Sequence, residues 1–301
     1  HKEYRRQRQM CIRDRFNVRR TTPEAGRSLN TQELGSGFMV LFTDHSTHNY
    51  PLVMTAATPP PLPWLNAADP LPSPWQAWGE NTPAPGLLAA GGTLSVERLK
   101  AAYAQGTFPW FSQGQPVLWW CTHPRMVLQT HDYRLHRSLR KTLQRFRAAP
   151  SCEIRVDTAF DRVITACAHT PRVGQSGTWI VPEMVQAYQA LHQAGHAHSL
   201  ETWVQGELVG GLYVVNLGQA VFGESMFAHR TDASKIALAA LVAWARHEGI
   251  AWIDCQQQTS HLALQGARPL PVAEFLLRVQ AACVVPPPHW HFDPVYWDAL
   301  L

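Results

Sequence analysis

Apolar residues recur at helical spacing near the start of the well-patterned part of the chain. In "SVERLKAAYAQG", Leu99 and Tyr103 share one helical face with other apolar residues. Ser95 or Thr93 is suited to begin this helix, and Gly106 is suited to end it. The following "PVLWWC" predicts a short strand. This part of the chain is therefore expected to form a small α+β unit.

The segment "RLHRSLRKTLQRFR", residues 134–147, predicts a helix with one apolar face and one basic face. The basic face contains no acidic residue, although the rest of the chain is slightly acidic. Two interpretations remain open: a solvated face of a docked helix, or a surface that binds phosphates. We favour phosphate binding by these residues: Arg137, Arg140, Lys141 and Arg145.

The second half of the chain alternates in the manner of strands and then in the manner of a helix. Asp232 is suited to begin a mostly apolar helix, Ala233–His247, and Ile250–Gln256 predicts a further strand. Three strands joined by glycine-containing turns precede that helix: Ala197–Val204, Leu208–Val215 and Gln219–Met226.

This order of three strands, a helix and a strand resembles the fold of the Gcn5-related N-acetyltransferases (GNAT). Acetyl-CoA enzymes of that fold hold the pyrophosphate with a glycine-rich loop before the long helix. The corresponding segment here, "AHRTDASK", contains no glycine. The predicted fold class is thus α+β: a small N-terminal α+β domain, then a GNAT-like domain with a mixed sheet flanked by helices.

Composition indicates a globular protein of the cytoplasm. Hydrophobic residues make up 46% of the 301 residues, and 12 are Trp, which suffices for a sizeable core. The six Cys are scattered without a C-x-x-C pair, which fits a reducing compartment. The net charge of +4 is local: residues 1–20 carry eight Lys or Arg against two acids, and the other 281 carry 18 against 20.

Patterning also divides the chain. Residues 1–53 show no sustained periodicity, and we expect them to be a non-native or disordered extension, with a basic RNA-binding arm as the alternative. The expected divisions are a small N-terminal domain at 54–123, the catalytic domain at 124–285 and a C-terminal tail at 286–301.

The stretch "GIAWIDCQQQTSH" places polar residues at the end of an apolar strand. Buried polar groups need hydrogen-bond partners, so Asp254, Cys255 and Gln256 are either a satisfied structural set or part of a site. On a strand Asp254 and Gln256 share a face, and Cys255 points to the other.

Taken in order, several segments resemble the bacterial leucyl/phenylalanyl-tRNA–protein transferases, over roughly residues 62–280. Those segments are "GLLAAGGTLSVERLKAAYAQGTFPWFS", "PVLWWCTHPR", "HRSLRK", "SGTWI", "GHAHSLETW", "ELVGGLYVV", "FGESMF", "DASKIAL" and "IDCQ". The resemblance implies transfer of Leu, Phe or Met from aminoacyl-tRNA to the N-terminal Lys or Arg of a protein, which marks that protein for degradation. It implies no metal and no CoA.

The resemblance also implies the catalytic residues Asp254, Gln256 and Glu224. An aminoacyl-tRNA ester is already activated, so the acceptor amine can attack it directly once it is positioned and loses a proton. Asp254 would orient the Gln256 amide, whose oxygen would accept from the amine, and Glu224 would hold the network or the amine. A structural network remains the alternative, and Cys255 is not expected to be a nucleophile.

Substrate-binding residues follow from the same resemblance. Trp110 and Trp179 would enclose the terminal adenine of the tRNA, although a Trp is commonly a core residue. The side chain of the amino acid would lie among these residues, each of which is equally suited to the core: Leu212, Val221, Met226, Leu238, Leu241 and Ile253.

Histidine pairs do not change this interpretation. His196 with His198, and His289 with His291, share strand faces but lack a third ligand at a helpful spacing, so we expect no metal site. Two other functions stay open: a CoA-dependent N-acyltransferase and a non-catalytic tRNA-binding module.

Overall fold

The computed structural model describes residues 60–170 and 180–301, which form eleven strands in two sheets. The strands are β1 (Trp64–Leu65), β2 (Leu87–Gly91), β3 (Phe108–Pro109), β4 (Leu118–Trp120), β5 (Arg125–Gln129), β6 (Cys152–Val156), β7 (Ala197–Val204), β8 (Glu207–Leu217), β9 (Ala220–Ala228), β10 (Trp252–Asp254) and β11 (Arg268–Leu270).

The described residues also form seven α-helices. They are α1 (Val96–Ala104), α2 (Arg137–Ala148), α3 (Phe160–His169), α4 (Pro182–Gln193), α5 (Ala233–His247), α6 (Ser260–Leu264) and α7 (Val272–Cys283). A 3₁₀ helix, Pro294–Ala299, lies near the C-terminus.

The first four strands form a small sheet in the order β1-β2-β4-β3, and the other seven form a large sheet in the order β11-β5-β10-β9-β8-β7-β6. In the large sheet β9 and β10 are parallel, and the remaining pairs are antiparallel. The predicted mixed sheet flanked by helices is confirmed, and so is the order of three strands, helix and strand, which is β7-β8-β9-α5-β10.

Helices cover both faces of the large sheet and bury a separate cluster on each. On one face, α1, α3, α4 and α7 pack together with the small sheet. On the other face, α2, α5 and the C-terminal segment pack together. We call these the α4 face and the α5 face. The Ala-rich α5 is buried almost throughout. It approaches the sheet closely at Gly210, where the absence of a Cβ leaves room for it: an added Cβ would lie 2.5 Å from the Cβ of Ala233.

Local signals at helix starts were partly correct. Ser95 begins α1, and its hydroxyl accepts from the backbone N–H of Arg98 at 3.2 Å, as predicted. Asp232 occupies the N-cap position of α5, as predicted, but its side chain makes no capping hydrogen bond. Asp232 has a left-handed backbone with φ of 63°, and its carboxylate accepts instead from Nζ of Lys235 at 2.7 Å.

One predicted boundary also needs correction. The strand predicted over Ile250–Gln256 is limited to β10, and beyond its end the backbone of Gln256 turns to a left-handed conformation with φ of 56°. In the C-terminal segment 286–301, expected as a tail, Tyr296 and Trp297 are buried against the α5 face. The segment 1–53 lies outside the described residues.

Within the described ranges, no helix combines the length and apolar character needed to cross a membrane.

Candidate active site

A β-bulge positions Glu224. Along β8 and β9, Tyr213 pairs with Ser225 and the next residue, Val214, pairs with Gly223. Glu224 is therefore the extra residue between two consecutive pairs, and bulges of this kind redirect side chains beside active sites. The sheet thus presents the Glu224 carboxylate at a break in its regular alternation.

The Glu224 carboxylate accepts three hydrogen bonds. Its Oε1 accepts from the hydroxyl of Tyr103 at 2.7 Å and from Nε2 of Gln256 at 2.8 Å, and its Oε2 accepts from the hydroxyl of Tyr188 at 3.2 Å. The two tyrosine oxygens are 2.5 Å apart. Residues from α1, α4, β9 and the end of β10 therefore meet at one carboxylate on the α4 face.

Burial raises the pKa of Glu224 to about 7, and the nearby charge of Asp254 acts in the same direction. Hydrogen bonds from Tyr103, Gln256 and Tyr188 oppose this rise. Burial also raises the pKa values of Tyr103 and Tyr188 well above their ordinary range. The tyrosines therefore act as neutral donors near neutral pH, while Glu224 is able to exchange a proton there.

Gln256 follows β10 directly and is held by both its backbone and its side chain. Its N–H donates to Oδ1 of Asp254 at 2.9 Å, and its carbonyl oxygen accepts from the hydroxyl of Thr122 at 3.1 Å and from the N–H of Met126 at 3.2 Å. The side-chain Nε2 is bound by Glu224. Among the described residues none donates to Oε1 of Gln256, so this oxygen is available to a substrate donor.

Asp254 forms a fully buried ion pair with Arg125. The guanidinium donates from Nε to Oδ1 at 2.8 Å and from Nη2 to Oδ2 at 2.6 Å, and both side chains are 0% exposed. The guanidinium carbon lies 4.7 Å from the centroid of the Phe108 ring and 4.6 Å from that of Phe275. The carboxylate is thus paired with a planar cation in an apolar setting.

This geometry corrects one expectation about Asp254. It was expected to orient the side-chain amide of Gln256, but it binds the backbone N–H, and Glu224 binds the amide. The reason is the left-handed backbone at Gln256, which removes its side chain from the regular strand alternation that would place it on the same face as Asp254. The thiol of Cys255 lies 3.7 Å from the carbonyl oxygen of Ile253, and burial raises its pKa.

The six residues expected around the amino-acid side chain lie together on the α5 face. Five are buried there and Met226 packs against them with partial exposure: Leu212, Val221, Met226, Leu238, Leu241 and Ile253. They are on the opposite face from the tyrosines. β9 pairs with β10 at Phe222 and Asp254 alone, and then continues to Ala228. Just beyond Glu224 and Asp254, the backbone that lies between the two faces of the sheet is therefore not paired between β9 and β10.

The expected adenine-binding residues are only partly described. Trp110 is half-buried, and its ring centroid lies 5.3 Å from that of Trp120, with the planes at 60°. Its backbone oxygen accepts from Nε1 of Trp120 at 2.7 Å, which fixes its position. Trp179 lies outside the described residues.

The four residues of α2 that were expected to bind phosphate divide into two groups. Arg137, Lys141 and Arg145 are exposed. Arg140 instead donates from Nη1 to the carbonyl oxygens of Leu300 and Leu301, at 3.0 and 2.9 Å. Arg140 is thus occupied in holding the C-terminal segment, and its expected contact with phosphate competes with that contact.

Among the paired histidines, His198 has its Nδ1 2.7 Å from Oδ2 of Asp157. In the ranges that the structure describes, no group of three His, Cys, Asp or Glu side chains is arranged to hold a metal ion.

Sequence reasoning missed Tyr103, Tyr188, Arg125 and Thr122. Tyr103 was assigned to the apolar face of its helix, because a tyrosine at helical spacing resembles any other core residue. A weak signal did exist for Arg125, which stands at the start of the apolar run "RMVLQ" and is buried in β5. A charged residue in such a run needs a buried partner.

Comparison with known proteins gives consistent matches. The family model described as leucyl/phenylalanyl-tRNA protein transferase matches residues 127–280, and the model of its N-terminal domain matches residues 92–123. Relatives named leucyl/phenylalanyl-tRNA–protein transferase include proteins of Polaromonas sp., 60% identical over 81% of this chain and 95% of theirs, and of Albidiferax ferrireducens, 57% identical over 82% and 97%. One from Ralstonia pickettii is 56% identical over 76% of this chain and 93% of its own.

Solved structures align less closely. The L-PGS of Bacillus licheniformis is 12% identical, with a TM-score of 0.33 over 58% of this chain and 56% of that one. An aminoglycoside N-acetyltransferase is 14% identical, with a TM-score of 0.25 over 47% of this chain and 92% of that one. At these scores the description of the fold depends on the strand order given above.

Proposed function

The chain belongs to the leucyl/phenylalanyl-tRNA–protein transferase family, and from that membership we propose the substrates, the site residues and the reaction in detail. It is an aminoacyltransferase that uses aminoacyl-tRNA and a protein as substrates. Family membership removes the CoA-dependent N-acyltransferase and the non-catalytic tRNA-binding module as its function. The amino acid moved is Leu, Phe or Met, and the acceptor is a protein with N-terminal Lys or Arg, tagged in the cytoplasm for degradation.

The reaction is direct attack of the acceptor α-amine on the aminoacyl ester. A bond forms between the amine nitrogen and the ester carbonyl carbon, the ester C–O bond breaks, and the ribose oxygen of the tRNA leaves with a proton. The amine must lose a proton in the same process. No covalent enzyme intermediate is needed, which agrees with the raised pKa of the partly buried Cys255 thiol.

The observation that carries the proposal is the hydrogen-bonded row of Tyr103, Tyr188, Glu224 and Gln256. Glu224 fixes the Gln256 amide so that Nε2 is occupied and Oε1 is left for the N–H of the attacking amine. With its pKa at about 7, Glu224 is matched to accept the proton that the amine releases. Asp254 supports Gln256 by accepting a hydrogen bond from the backbone N–H of Gln256.

Substrate binding is proposed on both sides of this row. The side chain of the transferred amino acid lies in the α5-face cluster that contains Leu212, Met226 and Leu241, and the acyl group passes between β9 and β10 where they are unpaired. Trp110 and Trp179 hold the terminal adenine by stacking. Arg137, Lys141 and Arg145 contact tRNA phosphates. The division between the small N-terminal domain and the catalytic domain lies between residues 123 and 124.

The test is a transfer reaction with defined substrates. The protein is incubated with leucyl-, phenylalanyl-, methionyl- or valyl-tRNA and with peptides that begin with Arg, Lys, Ala or Glu, and the products are analysed by mass spectrometry. The proposal expects extension of the Arg and Lys peptides by Leu, Phe or Met, with the Ala and Glu peptides unchanged. Extension independent of the first residue would contradict the proposed acceptor class.

A further inference from the structure

The Arg125–Asp254 pair contacts the catalytic segment at a second point. Besides its two bonds to Asp254, the Arg125 guanidinium donates from Nη1 to Oγ1 of Thr122 at 3.4 Å. The Thr122 hydroxyl in turn donates to the carbonyl oxygen of Gln256 at 3.1 Å. Arg125 is therefore connected to the N–H of Gln256 through Asp254, and to its carbonyl oxygen through Thr122.

This double connection coincides with an unfavourable backbone conformation. Gln256 has φ of 56°, in the left-handed region that residues other than Gly, Asn and Asp adopt at a cost. Such a conformation persists only where its surroundings hold it. The bond of its N–H to Asp254 and the bonds to its carbonyl oxygen are the contacts that hold it here.

The pair also limits what Asp254 is able to do. Both of its oxygens are bound by Arg125, one of them accepts the Gln256 N–H as well, and neither side chain is exposed. A fully buried carboxylate whose two oxygens are both occupied by donors of the protein is out of reach of the substrate amine. The proton of the acceptor amine therefore goes elsewhere.

We infer that Arg125 is a positioning residue of the transfer reaction: acting through Asp254 and Thr122, it holds the left-handed backbone at Gln256 that aims the amide at the acceptor amine. Asp254 serves this arrangement as the counter-ion and backbone acceptor, without taking part in proton transfer. The inference rests on the proposed function, because the group being positioned is the proposed acceptor of the amine N–H.

The main test compares Arg125→Met with Arg125→Lys. Met fills similar volume without charge, whereas Lys keeps the charge but lacks the planar group that makes two parallel bonds. Steady-state transfer from leucyl-tRNA to a peptide beginning with Arg gives kcat and KM for each. Misplacement by about 1 Å costs on the order of 100-fold, so Arg125→Met is expected to lower kcat by about 100-fold, with KM for leucyl-tRNA changed less than about threefold. The kcat of Arg125→Lys is expected to lie between that of Arg125→Met and that of the wild type.

A matched control separates positioning from general stability. Glu201 is also fully buried, and its carboxylate accepts from Thr158, Ser199, Trp203 and the N–H of Ala159, away from Gln256. Glu201→Gln is expected to lower Tm while kcat at a temperature well below Tm stays at the wild-type value. An equal loss of kcat in Glu201→Gln and Arg125→Met would overturn the inference, and so would an unchanged kcat in folded Arg125→Met.

A second measurement keeps the inference testable apart from activity. In wild-type protein labelled with ¹⁵N-glutamine, the backbone N–H of Gln256 should be protected from hydrogen exchange by its bond to Asp254. Arg125→Lys and Thr122→Val should both reduce that protection. If Arg125→Met does not fold, these two variants decide the matter. If wild-type protein transfers nothing to the Arg peptide, the proposed function fails, whereas unchanged protection in both variants overturns the positioning role itself.

Discussion

Replacing Glu224 with Gln removes a carboxylate that the fold holds in an unfavourable setting. The Gln side chain has nearly the same shape, and its oxygen is able to accept from Tyr103 as Oε1 does now. What is lost is the group that takes the proton of the acceptor amine. We therefore expect kcat to fall by about 10²–10⁴-fold, the range for positioned proton transfer, while the protein becomes more stable above neutral pH.

The gain in stability follows from the pKa. In the folded protein the pKa of Glu224 is about 7, against an ordinary value of 4.5. Because the folded state favours the protonated form, the stabilisation from this group is complete below pH 4.5 and is lost as pH rises through about 7. The difference corresponds to about 3 kcal/mol of unfolding free energy. Glu224→Gln carries no ionisable group there and does not suffer this loss.

Urea unfolding of both proteins at pH 5 and at pH 8 measures the effect. The free energy of unfolding of Glu224→Gln minus that of wild type should increase between the two pH values, by up to about 3 kcal/mol. In parallel, kcat of the wild type should rise with pH through about 7, and this rise should be absent in the variant. A stability difference that is the same at both pH values would refute the assignment of a raised pKa to Glu224.

Three other variants have separate outcomes. Trp110→Ala should raise KM for leucyl-tRNA and for a leucyl-adenosine mimic alike, by a factor that corresponds to about 1–3 kcal/mol; an effect on full-length tRNA alone would contradict adenine stacking. Reversal of charge at Arg137 and Lys141 should weaken tRNA binding and lower the slope of log K against log salt by about one per lost phosphate contact, by analogy with duplex DNA, as measured by filter binding. Cys255→Ala should keep most of its kcat, and its inactivity would indicate a thiol intermediate.

Periodicity predicted the framework because the strongest signals come from long amphipathic or alternating segments. The helix Ala233–His247 has the predicted bounds, and so does the strand Ala197–Val204. The end of the strand predicted over Ile250–Gln256 was less accurate, and there Gln256 adopts a positive φ. No spacing rule encodes that conformation for a residue other than glycine.

The candidate site was predictable in its parts but not in its connections. The resemblance supplied Glu224, Asp254 and Gln256, and their roles remain proposals. The bulge that presents Glu224 depends on the register between two strands, which the sequence of β9 alone does not define. Tyr103 and Tyr188 are 85 residues apart in the chain, and only the packing of α1 and α4 on the same face brings their hydroxyls together.

Single-turnover transfer by Gln256→Ala measures what the Gln256 amide contributes to the chemical step. Leucyl-tRNA prebound to excess enzyme is mixed with a peptide that begins with Arg, and the Leu-extended peptide is quantified over time, with the Kd of leucyl-tRNA measured on the same samples. If the Gln256 amide accepts from the attacking amine, the rate constant is lower by about 10²–10⁴-fold than that of the wild type, with the Kd nearly unchanged. A wild-type rate constant in Gln256→Ala, or a loss that appears entirely as weaker leucyl-tRNA binding, would contradict this role of the amide.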